Sequence, residues 1–290
     1  MARASGHTAV MADKVSTKAL EAEADPARRL HLALNYFPTP PWATRALLEH
    51  VIYDAGGTAW EPAAGEGHMA GVLAERFDDV YRTDVHDYSL GASGADGAPA
   101  RCGLHAVGSF VGQGLDVLPG PEHRPDWIIT NPPFSLAAEF AERALDVAGD
   151  GVALLMRTAW LEGQDRYERL FRDSPPTFVA VFVERVPMTL GRWDPDADTA
   201  TAYAWFVWRR ASALPAEIET PPPRWAKGGT TLIWIPPGCR QRLERADDRR
   251  RFTTSTVSGP TLFDGADGPA ASGLASGKTG HPKRKHEVLA

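Results

Sequence analysis

The sequence predicts an α/β fold, a mostly parallel sheet with helices on both faces. Three observations predict it. Short apolar segments recur at 57–61, 78–85, 127–130, 151–157, 177–183 and 203–208, with 230–235 as one more candidate. Stretches with helical spacing of apolar residues separate several of them, as at 42–51, 135–145 and 166–172, and alternation of this kind produces parallel sheets. The run Gly151-Val152-Ala153-Leu154-Leu155-Met156 is almost continuously apolar, as in a strand covered on both faces.

Taken in order, residues 1–25 are rich in Ala, Ser and charge with little periodicity, and are expected to be disordered. The folded domain is expected over 26–245, followed by a low-complexity basic tail over 246–290. After a short helix at 26–34, the segment Asn35-Tyr36-Phe37-Pro38-Thr39-Pro40-Pro41 is a stiff aromatic turn. It leads into the amphipathic helix 42–51, with prolines just before the first turn and an entrance that favours an anion. The next strand ends at Glu61, and Pro62-Ala63-Ala64-Gly65-Glu66-Gly67 forms a tight turn before a helix. Gly65 and Gly67 let backbone approach a ligand closely.

The spacing Gly65-x-Gly67-x-x-Ala70 also fits a dinucleotide fingerprint. A pyrophosphate over that turn would meet repulsion from Glu61 and Glu66, whereas a cationic ligand would be attracted. The second strand ends in Asp84, seventeen residues after Gly67, where an acid can accept hydrogen bonds from ribose hydroxyls. A strand-end cap or surface charge is the plainer alternative for Asp84.

The sharpest signal is the strand Trp127-Ile128-Ile129-Thr130 running into Asn131-Pro132-Pro133-Phe134, with a helix beyond and Ser135 as its expected N-cap. Two prolines stop the ladder and hold Asn131 and Pro132 extended. The turn offers a side-chain amide oxygen, a backbone carbonyl and an aromatic face. An exocyclic amine on a planar ring suits all three: Asn131 and Pro132 each accept one amine hydrogen and Phe134 stacks on the ring. An ordinary proline-rich β–α loop is the alternative.

Asn131-Pro132-Pro133-Phe134 resembles the catalytic motif of the S-adenosylmethionine-dependent amino-methyltransferases, and Glu61 to Gly67 resembles their first cofactor motif. The resemblance covers roughly residues 35–236. It implies a Rossmann-like class I fold with a mostly parallel seven-stranded sheet. Through it, Phe37 and Thr39 match a Thr-Pro-Pro segment lying against the cofactor's methionine carboxylate. Glu61, Pro62, Ala63, Gly65, Gly67, Asp84 and Asn131 complete the expected cofactor site, with Asp116 on the adenine amine. The catalytic set would be Asn131, Pro132, Pro133 and Phe134. Residues 158–163 with 203–208 resemble the small stand-alone enzymes of phages and prophages, which implies methylation of adenine N6 in double-stranded DNA with the base flipped out. RNA adenine or guanine and protein glutamine are alternative acceptors of the same motif, and a nicotinamide oxidoreductase is a more distant reading.

Composition narrows the setting. No apolar run approaches a membrane span. Cys102 and Cys239 lie far apart without metal-ligand spacing, which implies no metal site and fits a reducing cytoplasm. The net charge is −6, yet residues 222–290 hold twelve Lys/Arg against six Asp/Glu, a candidate phosphate-contacting arm or a solvated surface. The loops 88–125 and 186–199 are expected to face DNA, with Arg185 and Arg192 as candidate phosphate contacts. Thr261-Leu262-Phe263 faintly resembles a sliding-clamp peptide.

Overall fold

The computed structural model describes residues 26–88, 103–112, 124–210 and 229–252. Asp116, Cys102, residues 1–25 and the clamp-like Thr261-Leu262-Phe263 therefore lie outside the described residues, as does most of the loop 88–125.

Among the described residues two helices precede the sheet, α1 (Pro26–Leu34) and α2 (Pro41–His50). Then follow β1 (Thr58–Glu61), α3 (His68–Leu73), β2 (Asp79–Asp84) and the two-residue β3 (Ala106–Val107). The middle of the chain gives β4 (Trp127–Thr130), α4 (Ala137–Val147) and β5 (Gly151–Arg157). A short α5 (Gln164–Arg166) widens into a π turn over Tyr167–Phe171 where one regular helix was expected. The remaining elements are β6 (Phe178–Phe182), β7 (Tyr203–Arg209), β8 (Thr231–Ile235), α6 (Cys239–Leu243) and α7 (Asp248–Phe252). The strands form one sheet in the order β3-β2-β1-β4-β5-β7-β6-β8. Only β7 runs antiparallel to its neighbours.

The sheet thus has eight strands, not the seven expected. The additional strand is the two-residue β3, which pairs in parallel with the end of β2, Thr83 opposite Ala106 and Asp84 opposite Val107. The expected segment 230–235 forms β8, which pairs in parallel with the apolar β6 from Phe178 opposite Thr231 to Phe182 opposite Ile235. Without it β6 would be an edge with unpaired backbone groups.

Strand alternation builds a core on each face. Ile129, Leu155 and Trp205 join Trp42, Leu47 and Leu73 on the α2–α3 side. Ile128, Leu154 and Phe206 join Phe140, Trp160 and Phe171 on the α4 side. Trp205 also donates from its indole nitrogen to the Ala43 carbonyl at 3.1 Å, which ties α2 to the middle of the sheet.

Ser135 is not the cap of the helix after Phe134. A 3-10 turn over Phe134–Leu136 intervenes, Ser135 is exposed, and Leu136 occupies the cap position with no side-chain capping bond. The tight turn arises because the Leu136 amide donates to the Pro133 carbonyl at 2.9 Å, which delays the α-helix.

The expected boundary at residue 245 is also displaced. Asp248 and Phe252 are buried, and Arg45 on α2 donates to both carboxylate oxygens of Asp248 at 2.6 and 2.7 Å. Arg45 further donates to Glu75 at 2.8 and 2.9 Å and to the Leu243 carbonyl at 2.7 Å. Burial alone would lower the Arg45 pKa, but the hydrogen bonds from Asp248 and Glu75 outweigh it and raise it. The arginines of this basic stretch are largely engaged with the body: Arg242 with Glu49, Arg245 and Arg251 with Glu75, Arg249 with Asp196. Residues 246–252 are therefore part of the folded unit, not a low-complexity tail.

Removing one partner of a buried pair leaves the other charge desolvated. Asp248→Ala is expected to lower the unfolding free energy by about 3–5 kcal/mol. Urea unfolding checks this, and a loss below about 1 kcal/mol would place the carboxyl-terminal segment outside the stabilising core.

Candidate active site

A solvent-open cleft of about 770 Å³ lies at the carboxyl ends of β1, β2 and β4. That is where ligands sit in open α/β sheets, because strand order reverses between β1 and β4. The structure brings Phe37, Thr39, Glu61, Pro62, Ala63, Asp84, Asn131 and Pro133 together on its walls. Gly65, Gly67, Pro132 and Phe134 belong to the same turns but do not line the cleft.

Asn131 is set by a contact between distant segments. Its Nδ2 donates to the Phe37 carbonyl at 2.8 Å. A carbonyl can only accept, so this bond fixes which end of the amide is Nδ2 and which is Oδ1. The other end, Oδ1, is buried and has no hydrogen-bond partner among the described residues. Pro132 is buried behind it, and the Phe134 ring lies 5.8 Å from Phe37 and 6.3 Å from Tyr203. The Arg157 guanidinium sits over the Phe134 ring, 4.6 Å from its centre.

The opposite wall is acidic. Glu61 is almost wholly buried, and its Oε2 also lacks a partner among the described residues. Burial pushes its carboxyl well above the usual range, with a contribution from Asp84, against the lowering effect of the Ala70 amide and Arg82. Asp84 is buried and raised for the same reason, and the amides of Gly65 and His86 counter that rise. Those amides donate to Oδ2 and Oδ1 at 2.8 and 3.1 Å, and the Val85 amide adds to their lowering effect.

Gly65 has φ +53°, and a Cβ there would lie 2.4 Å from Cε2 of Tyr36. The turn therefore needs glycine both for its left-handed backbone and for the ring behind it. Gly67, at φ 82°, performs the same conformational task at the entrance to α3.

Sequence reasoning missed several wall residues. Tyr36 and Tyr88 pack their rings 4.3 Å apart at the cleft, and the Glu66 amide donates to the Tyr36 hydroxyl at 3.3 Å. The segment after β3 adds Gly108, Ser109 and Phe110. Tyr36 was the one detectable signal, since an aromatic adjoining Phe37 in a rigid turn implies packing. Phe110 had none, because β3 is only two residues long. In the expected DNA-facing loop 186–199, Trp193 is buried and Arg192 pairs with Asp194 at 3.0 Å, while Arg185 is exposed.

No family model matches the chain, and no curated protein matches its sequence. Solved structures similar to it include the modification subunit assigned to a type I restriction enzyme of Vibrio vulnificus. That structure is 14% identical, with a TM-score of 0.46 over 83% of this chain and 55% of the other. A protein assigned to the class I S-adenosylmethionine-dependent methyltransferases, from Listeria monocytogenes, is 12% identical, with a TM-score of 0.43 over 68% and 65%. One assigned as an RNA methyltransferase, from Pyrococcus horikoshii, is 16% identical, with a TM-score of 0.42 over 61% and 87%. The chain spans 55% and 65% of the length of the first two. Among the described residues, no helix is long and apolar enough to cross a membrane.

The raised Glu61 carboxyl has a definite pH signature. Above the ordinary glutamate value of 4.5 the unfolded chain ionises freely, while the folded chain must keep the proton or bury the charge. Its contribution to stability is therefore present in acid and lost as pH rises from that value through the raised one. Glu61→Gln is expected to raise the melting temperature of the ligand-free protein at pH 8 and to leave it nearly unchanged at pH 4. Thermal unfolding at the two pH values checks this, and equal shifts at both would remove the carboxyl as the cause.

Proposed function

We propose that this protein is an S-adenosylmethionine-dependent methyltransferase whose target is an exocyclic amine, N6 of adenine in DNA. The observation that carries the reading is the Asn131 amide, clamped through Nδ2 to the Phe37 carbonyl with Oδ1 left buried and unpartnered. A buried acceptor without a donor costs free energy unless a ligand supplies one. An amine hydrogen supplies it, and the Pro132 carbonyl is the candidate acceptor for the second.

The acidic wall fits the cofactor. S-adenosylmethionine is a cation at its sulfur and carries an ammonium group, so the orphaned Glu61 Oε2 and the partly engaged Asp84 suit it. Thr39 and Phe37 are assigned to its amino-acid end by the motif they resemble, and Asp84 to its ribose. When bound, the cofactor supplies an electrophilic methyl group. The protein's own residues supply the rest: Asn131 and Pro132 orient the amine, their acceptance of its hydrogens raises the nitrogen's nucleophilicity, and Phe134 offers an aromatic face to the ring. Asp116 is proposed for the adenine amine of the cofactor by resemblance. A dinucleotide would bring its diphosphate against Glu61, which argues against the nicotinamide reading. The DNA target rests on the resemblance of residues 158–163 and 203–208 to the stand-alone enzymes of phages and prophages, and RNA amines and protein glutamine are the competing acceptors.

Incubation with methyl-labelled S-adenosylmethionine and duplex DNA, RNA or protein is expected to label DNA, on adenine. Label in RNA or protein with none in DNA would overturn the DNA assignment. Asn131→Ala is expected to slow transfer on the order of 10²–10³-fold, by analogy with loss of one preorganised hydrogen-bonding group, while cofactor affinity by calorimetry stays within a few-fold. Full activity in that variant would remove Asn131 from the reaction.

A further inference from the structure

We infer that Arg157 is a phosphate clamp beside the target slot, which makes the substrate a polyanionic nucleic acid chain and not a protein side chain. The inference rests on the amine-methyltransferase reading above and adds the substrate class and the residue that selects it. Four observations carry it.

The first is position. Arg157 is the last residue of β5, on the far side of β4 from the acidic wall formed at the ends of β1 and β2. Asn131, at the end of β4, stands between them. A ligand spanning Glu61 and Asp84 thus leaves the β5 side of Asn131 for the acceptor.

The second is how the guanidinium is held. It lies 4.6 Å from the centre of the Phe134 ring, and the residue opposite it in the β5–β7 register is Tyr203. Tyr203 is buried, and its ring lies 6.3 Å from that of Phe134, so the ring under the guanidinium is itself set against the core. A planar cation held against an aromatic face keeps its N–H donors pointing outward in its own plane, which suits the paired oxygens of a phosphodiester.

The third is charge. Arg157 is exposed and has no carboxylate partner among the described residues. Arg169, Arg172, Arg192, Arg209, Arg242, Arg245 and Arg249 all have one. An arginine positioned by the fold but left without a counter-charge is available for an anion from outside.

The fourth is proximity. Arg157 contacts the very ring expected to support the target base, so an anion that it holds lies next to that base. In a nucleic acid every base has a phosphate within a nucleotide's reach. A glutamine in a peptide has no such fixed anion.

Binding of a fluorescent duplex DNA across a salt series tests the contact without requiring turnover, and steady-state methylation of the same duplex tests its use. For Arg157→Gln the expected results are a roughly ten-fold or greater rise in KM for DNA, and a log–log salt slope shallower by about one. The loss is expected to fall on KM more than on kcat, and Arg157→Lys should restore the slope while recovering only part of the affinity. A structural role through Phe134 or Tyr203 would not move the salt slope. An unchanged slope and KM would overturn the clamp, as would a fall in kcat with the slope unchanged, since the guanidinium would then act on the base or the ring. A changed slope in a protein that transfers no methyl group would instead overturn the reaction proposed above and leave the phosphate contact standing.

Discussion

The hydrogen bond from Asn131 to the Phe37 carbonyl is the contact on which the site depends. It joins residues 94 positions apart, and it gives the amide a defined polarity in the cleft. The bond exists only if the loop before α2 is held against the end of β4. Several contacts see to this: the Tyr36 amide donates to the His31 carbonyl at 2.9 Å, and the Gly191 amide to the Tyr36 carbonyl at 2.9 Å. Trp205, at the centre of the sheet, pins α2 through Ala43. Reactive geometry at the surface is thus maintained by packing two layers deeper, as precise sites on loops generally require.

Electrostatics divide the cleft. On one side Glu61 and Asp84 are buried carboxyls whose protonation is favoured by desolvation, a cost to the free protein. On the other side Arg157 is a held cation with no acidic neighbour among the described residues, and Phe134 and Tyr203 provide aromatic surface. A cationic ligand relieves the first side and an anionic one the second. The neutral amide of Asn131 lies between, so neither ligand is repelled at the point where both must meet. Burying the acids weakens the free fold but strengthens their field in the cleft, because low dielectric acts on both terms.

Much of this was legible in the sequence, for a physical reason: strands and their terminal turns are local. Trp127 to Thr130 is read from β-branched and aromatic residues, and the following prolines fix the turn without help from the fold. Glu61, Asp84 and Asn131 converge because each ends a parallel strand, and parallel strands end on one side. What could not be read depends on contacts across the chain. Nothing near Asp248 reveals that it is buried, since its partner Arg45 lies 203 positions away. A run of arginines looks solvated until the carboxylates that meet them are known. The cap expected at Ser135 failed because Pro133 offered its carbonyl first. Arg157 reads as an ordinary strand-end cation, and only the Phe134 ring beneath it gives it a direction.

The chemistry of position 131 follows from these constraints. The Phe37 carbonyl demands a donor, and the amine of the proposed reaction would demand an acceptor. One planar side chain must offer both from opposite corners at fixed distance. An aspartate would set an oxygen against the Phe37 carbonyl and add a third acid to a cleft that already buries two. A serine or threonine hydroxyl is too short to reach both partners, and glutamine gains a rotatable bond that would loosen the clamp. Asparagine satisfies the backbone and leaves an uncharged acceptor, which in the proposed reaction would take an amine hydrogen bond. The prolines after it keep the chain extended and leave the Pro132 carbonyl in place as a second neutral acceptor. Neutral acceptors on the amine, with formal charges kept to either side, distinguish a site that positions a weak nucleophile from one that must first remove its proton.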